Sequence, residues 1–218
     1  MFTLALLFAA PPVEVAPPPR AVDPFAKWEK DIAAIEKRLA ANPPKPGGVF
    51  FVGSSSIVKW DVTKSFPDAG YVNVGFGGSV IADSTHFAPR ILAPHKPGTV
   101  VFYAGDNDIG RGGKPEQALA DFKAFVAAVR KTAPECRVLF ITVKPSLSRW
   151  KQFAVQQKAN GLVKAYCESE QGLTFVDIVP VMLGADGTPI PELFQKDGLH
   201  MTPKGYELWT AEVKKALK

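Results

Sequence analysis

Three consecutive hydroxyls follow a glycine at Gly53-Ser54-Ser55-Ser56, and a carboxylate and an imidazole stand three residues apart at Asp197 and His200. Serine, histidine and aspartate can together make an activated nucleophile. The imidazole takes the hydroxyl proton while the carboxylate orients the imidazole. That chemistry requires a fold that brings residue 55 against residue 200. The question for the rest of the chain is whether its elements do so.

The elements alternate. Val49 to Val52, Tyr71 to Val74, Thr99 to Tyr103, Val138 to Val143 and Leu173 to Ile178 are short apolar runs that read as strands. Between them lie helical patterns. Phe25, Trp28, Ile32, Ile35 and Leu39 share one face, behind an Asp23-Pro24 start and ahead of the Asn42-Pro43-Pro44 stop. A second helix runs from about Ile81 to Leu92, and Pro115 opens a third whose Leu119, Phe122, Val126 and Val129 are aligned. A fourth carries Phe153, Leu162, Val163 and Tyr166, and a fifth, starting at Thr202-Pro203, carries Tyr206, Trp209, Val213 and Leu217. Near-continuous apolar strands separated by helices predict a parallel sheet covered on both faces. The expected fold class is therefore α/β: a flavodoxin-like three-layer α/β/α sandwich with a five-stranded parallel sheet.

In such a sheet the loops leaving the C-terminal ends of the strands converge on one edge. Here those loops carry Gly53-Ser54-Ser55-Ser56, Asn73-Val74-Gly75-Phe76-Gly77-Gly78-Ser79, Gly105-Asp106-Asn107-Asp108, Lys144 to Trp150, and the loop ending in Asp197 and His200. Each segment alone is also an ordinary turn or cap. Their placement on a single edge is what makes them a candidate site. His95 precedes the third strand and His86 lies within a helix, so His200 is the histidine placed to act as a base.

Four of these five segments, all but Lys144 to Trp150, resemble in order the blocks of the SGNH hydrolases, the GDSL esterase/lipase family. The resemblance runs from about Val49 to the C-terminus. Gly53-Ser54-Ser55 stands where the family has Gly-Asp-Ser, with Ser54 replacing the aspartate; Asn73 to Gly78 matches the glycine block; Gly105-Asp106-Asn107-Asp108 matches Gly-x-Asn-Asp; and Asp197-Gly198-Leu199-His200 matches Asp-x-x-His. The resemblance implies a serine esterase in which Ser55, His200 and Asp197 form the triad. It also implies an oxyanion hole made by the backbone N–H groups of Ser55 and Gly78 and the Asn107 side chain. The Gly-x-Ser-x-Gly elbow of the α/β-hydrolases is absent. By analogy with the family, the expected substrates are small-molecule esters of short acyl groups, acetylated carbohydrates among them. Phe76, Trp60, Trp150 and Met201 flank the blocks and read either as pocket lining or as core.

Composition narrows the alternatives. The 218 residues fit one domain, and a formal charge of +5 with scattered Lys and Arg carries no basic stripe for nucleic acid. No Cys/His cluster has metal-ligand spacing, so neither a metal nor another cofactor is expected. Cys136 and Cys167 read either as one bridge or as two inert core thiols. Met1 to Ala10 are apolar apart from Thr3, too short to span a bilayer, and residues 11–20 hold five prolines. Residues 1–20 are thus read as an export leader and linker, with a cytoplasmic protein as the alternative, and residues 21–218 as one catalytic domain. No oligomeric state is read. The rival function is a non-catalytic module on the same fold, holding a carbohydrate or a phosphorylated ligand. Hydroxyls and glycines suit a phosphate. Against it, Asp106, Asp108 and Asp197 would repel an anion, and no Gly-x-x-x-x-Gly-Lys-Ser/Thr motif is present.

Overall fold

Five short runs rich in Val, Phe and Ile form the sheet: β1 (Val49–Gly53), β2 (Val72–Asn73), β3 (Thr99–Tyr103), β4 (Arg137–Ile141) and β5 (Leu173–Val176). The computed structural model describes residues 23–218, so the leader, the linker and the export expectation lie outside the described residues. The helices are α1 (Glu29–Ala41), α2 (Ser55–Val58), α3 (Val62–Ser65), α4 (Ile81–Ile91), α5 (Asp106–Gly110), α6 (Pro115–Arg130), α7 (Phe153–Ser169) and α8 (Pro203–Leu217). All strand pairs are parallel, in the order β2-β1-β3-β4-β5.

Because side chains alternate along a strand, each strand feeds two cores. Phe50, Val52, Val100, Phe102, Val138 and Phe140 face one side, where α1, α4, α6 and α7 cover them. Phe51, Val101, Tyr103, Leu139 and Ile141 face the other, against α3, α8 and the long loop before α8. Aromatic rings fill both layers. Phe102 stacks on Phe125 at 4.0 Å, and Tyr103 meets Trp209 at 4.8 Å. Burying one such ring stabilises the fold by roughly 1.5–3 kcal/mol.

Three strands are shorter than their apolar runs predict, for reasons visible in the hydrogen bonds. Beyond Ile141 the chain leaves β4 because the Val143 N–H and C=O are taken by the Asn160 side chain of α7, at 2.8 and 3.0 Å. Beyond Val176 the Ile178 N–H goes to the Thr142 hydroxyl instead of a strand. At the sheet edge, β2 is confined to Val72–Asn73; the Val74 and Phe76 N–H groups still reach the Phe51 and Gly53 carbonyls, while the Asn73 side chain turns back to accept the Gly75 N–H at 3.0 Å. The first helix also differs at its start. Asp23 accepts the Phe25 N–H and begins a 3-10 turn (Ala26–Trp28) that leads into α1. Phe25 and Trp28 therefore sit half-buried on the α4 side, Phe25 stacked on His86 and Trp28 edge-on to Phe76.

Candidate active site

β1 ends at Gly53 with φ of 140°, so close to β3 that a Cβ there would lie 1.9 Å from the Tyr103 carbonyl oxygen. Only glycine fits. The chain then turns at Ser54, whose carbonyl accepts the N–H groups of Ile57 and Val58 at 2.9 and 3.1 Å and starts α2. Ser55 is thereby the first residue of a helical turn at the C-terminal edge of the sheet.

Residue 200 arrives at the same place. Asp197 Oδ1 accepts the backbone N–H groups of Leu199 and His200, both at 2.9 Å, which folds the three-residue spacing back on itself. Asp197 Oδ2 then lies 2.6 Å from His200 Nδ1, and His200 Nε2 lies 3.0 Å from Ser55 Oγ. With the Nδ1 hydrogen donated to Asp197, Nε2 is left as an acceptor for the Ser55 hydroxyl. The hydrogen bond from His200 and the two backbone N–H groups hold the Asp197 carboxyl well below the usual carboxylate range.

The glycine loop after β2 is pinned on both sides. Asn73 Nδ2 donates to the carbonyls of Ile57 and Trp60, tying the loop to α2. From α5, Asn107 Nδ2 donates to the Ser79 carbonyl at 3.0 Å, and Asp108 Oδ1 accepts the Ile81 N–H at 3.1 Å. Arg111, just past α5, donates to the Gly78 carbonyl at 2.7 Å. Gly78 takes φ of 75°, a left-handed conformation that side chains resist. Among the described residues the backbone N–H groups of Ser55 and Gly78 enter no turn, loop or cap hydrogen bond. Ser55, His200 and Asp197 are thus brought into one hydrogen-bonded line. Gly78 and Asn107 are joined through Ser79, next in the chain to Gly78.

A second charged cluster goes beyond what the sequence reading finds. Lys144, 1 % exposed, donates to Asp106 Oδ2 at 2.7 Å, to the Tyr103 hydroxyl at 3.0 Å and to Ser56 Oγ at 3.3 Å. Arg149 Nη1 donates to Asp106 Oδ1 at 2.5 Å and its Nη2 to Asn107 Oδ1 at 2.9 Å. Burial works against an ionised Asp106, but the Lys144 and Arg149 charges outweigh it and hold the carboxyl below its ordinary value. The available signal is a lysine closing the apolar run at Val143, where a fully covered strand has no solvent to offer a charge.

Trp60, Phe76 and Met201 are core residues, each at most 2 % exposed, and Trp150 is half-buried against Phe153. Cys136 and Cys167 are both buried free thiols, pushed up to about 11 and about 12 by burial, so the inert-thiol reading holds and the bridge does not form. A groove of about 710 Å³ between α3 and α8 is lined by Trp60, Met201 and Tyr206, and by none of Ser55, Asp197 or His200. Among the described residues no group of three His, Cys, Asp or Glu could hold a metal ion. No described helix is long and apolar enough to cross a membrane.

The model of the GDSL-like Lipase/Acylhydrolase family matches residues 53–208. Among curated proteins none matches the sequence. Several solved structures share the fold. One, from Streptococcus pneumonia and provisionally named a platelet activating factor, is 22% identical, with 87% of this chain and 92% of that one covered and a TM-score of 0.74. A GDSL-like lipase from Bacteroides thetaiotaomicron is 20% identical over 85% and 96%, with a TM-score of 0.69. A carbohydrate esterase family 3 protein from Talaromyces cellulolyticus is 17% identical over 78% and 95%, with a TM-score of 0.59.

Proposed function

The chain belongs to the GDSL-like lipase/acylhydrolase family of ester-bond hydrolases, and from that premise we propose that it is a serine esterase of short-chain carboxylic esters. Ser55 is the nucleophile, His200 the general base and then acid, and Asp197 the residue that orients the imidazole. The observation that carries this reading is the unbroken line Ser55 Oγ to His200 Nε2 at 3.0 Å and His200 Nδ1 to Asp197 Oδ2 at 2.6 Å.

In the first half-reaction Ser55 Oγ attacks the ester carbonyl as its proton passes to His200 Nε2. The imidazolium is stabilised by Asp197, which is ionised at any pH near neutral. Collapse of the tetrahedral intermediate expels the alcohol, which takes the proton from His200 and leaves an acyl-Ser55. Water then repeats the sequence and releases the acid. The developing oxyanion is held by the N–H groups of Ser55 and Gly78 and by the second N–H of the Asn107 amide, the first being engaged by Ser79.

Short acyl groups are favoured because the edge offers little apolar surface for a long chain. Among the described residues the exposed large hydrophobics are Val58, Leu147 and Val155 only, too few to make a docking patch for a long chain. The likeness to the Talaromyces cellulolyticus carbohydrate esterase adds carbohydrate esters as the class to try first.

The test is hydrolysis of p-nitrophenyl acetate, butyrate and octanoate by the wild type, Ser55→Ala and His200→Ala. Each variant should lose ~10⁶-fold in kcat, since nucleophile and base act as one unit, and the rate should fall with chain length. A wild type that neither hydrolyses any of the esters nor reacts with a fluorophosphonate would refute the esterase and leave a binding module on the same edge.

A further inference from the structure

An oxyanion donor is only as good as its aim. Asn107 presents a planar amide whose two ends are nearly the same shape and opposite in charge. If the oxygen faced the reacting carbonyl, it would repel the negative charge it is meant to hold. The Ser79 carbonyl accepts one hydrogen of Asn107 Nδ2 and so anchors the nitrogen end. The oxygen end is held by Arg149 Nη2 at 2.9 Å. A guanidinium carries donors only, so this contact is open to the amide oxygen and closed to the nitrogen.

We propose that Arg149 is the positioning residue of the oxyanion hole, locking the Asn107 amide with its free N–H toward the site; this rests on the esterase reading above. The lock is built to be stiff. Arg149 is itself gripped by Asp106, which Lys144, the Tyr103 hydroxyl and Gln156 also contact. The guanidinium packs against Gly110, where a Cβ would come within 2.9 Å of its Cζ, so a side chain at 110 would have to push it aside. Its own loop is tied to the Asp197–His200 loop by the Ser148 N–H, which donates to the Gly198 carbonyl at 3.0 Å. A cation on the amide oxygen also polarises the remaining N–H and strengthens it as a donor. Asp106 therefore serves both halves of the site. Through Arg149 it reaches the Asn107 donor, and through Lys144 it reaches Ser56, next to the nucleophile.

Arg149→Lys separates positioning from folding. A lysine keeps a positive charge for Asp106 but is a single point charge that cannot bridge Asp106 and Asn107 as the planar fork does. With p-nitrophenyl acetate, Arg149→Lys and Arg149→Met should each lower kcat ~10- to 100-fold, with KM changed less than ~3-fold, as expected when only a transition-state contact is weakened. The decisive comparison is made in Asn107→Ala. If Arg149 acts through that amide, Arg149→Met added to Asn107→Ala should cost less than ~3-fold more. An active wild type whose Arg149→Lys variant keeps full kcat would overturn the inference alone. So would an Arg149→Met penalty of equal size in both backgrounds. A wild type that turns over no ester would overturn the esterase reading and this inference with it.

Discussion

Two carboxylates stand at the same edge of the sheet, and both are held ionised by different means. Asp197 is half-exposed, bonded to one imidazole and two backbone N–H groups on its own loop. Asp106 is 4 % exposed and faces two full positive charges, Lys144 and Arg149, that come from another strand-end loop. The first is held by a partner three residues away and needs little of the fold beyond its turn. The second has lost its water and depends on long-range partners. The contrast teaches where each kind of group belongs. Here the carboxylate paired with a histidine on its own turn sits near solvent. A carboxylate that must hold geometry is buried where its partners cannot leave.

The same substitution at the two positions should therefore have opposite signatures. Asp197→Asn leaves the imidazole without its acceptor and admits the wrong tautomer. The expected loss is ~10⁴-fold in kcat, with a smaller fall in the thermal midpoint near neutral pH than Asp106→Asn produces. Steady-state kinetics beside a melting curve would show it. A variant that melts early but turns over normally would reverse the assignment of Asp197.

Asp106→Asn comes next in size and should act on stability. It removes the counter-charge from a lysine that is 1 % exposed and from half of the Arg149 grip. Breaking a buried pair in this way typically costs about 3–5 kcal/mol, because a charge is left without compensation. Urea unfolding should show a lower midpoint at unchanged slope. If Asp106→Asn proves as stable as the wild type, Lys144 can shed its charge or reach water, and the contrast with Asp197 collapses.

Asp197 is legible in the sequence and the role of Asp106 is not, for the same physical reason. Asp197 and His200 interact across three residues, so spacing carries the information. Strands β1, β3 and β4 are likewise local: their Val, Phe and Ile runs declare themselves, as does Pro115 at the start of α6. The pairing of Asp106 with Lys144 and Arg149 spans 38 and 43 residues and depends on two loops meeting at one edge. No periodicity marks it. The strands stop short of Val143 and Ile178 because side chains of Asn160 and Thr142 capture the backbone there, which no apolar run can announce. Residues 53–57 and 197–200 are enough to find the hydrogen-bonded line of Ser55, His200 and Asp197, but not the charges that brace it.

A third carboxylate, Asp108, extends the comparison and gives its smallest predicted effect. Its Oδ1 accepts the Ile81 N–H that begins α4, while Oδ2 is buried with no hydrogen-bond partner among the described residues. Burial pushes this carboxyl up to about 6; the Ile81 N–H opposes the rise, and the Asp121 charge adds to it. A carboxyl whose folded value lies above its unfolded one binds its proton more tightly when native. Its contribution to stability is thus fullest below about pH 4, declines as pH rises toward about 6, and stays at its lowest above that. The sign is opposite to that of Asp106 and Asp197, whose depressed values add stability as pH rises. Asp108→Asn keeps an acceptor for Ile81 and removes the charge, and an unpaired amide is a lighter burden than an unpaired carboxylate. The variant should gain about 1–3 kcal/mol at pH 7.5, because each pH unit separating the folded and unfolded titration points is worth about 1.4 kcal/mol, and the gain should vanish toward pH 4. Melting both proteins across that range isolates the group, because the other carboxylates cancel in the difference. Two parallel curves would mean that Asp108 titrates normally. The contact from Asp108 in α5 to the Ile81 N–H at the start of α4 would then carry no desolvation penalty, and the comparison would reduce to Asp106 and Asp197.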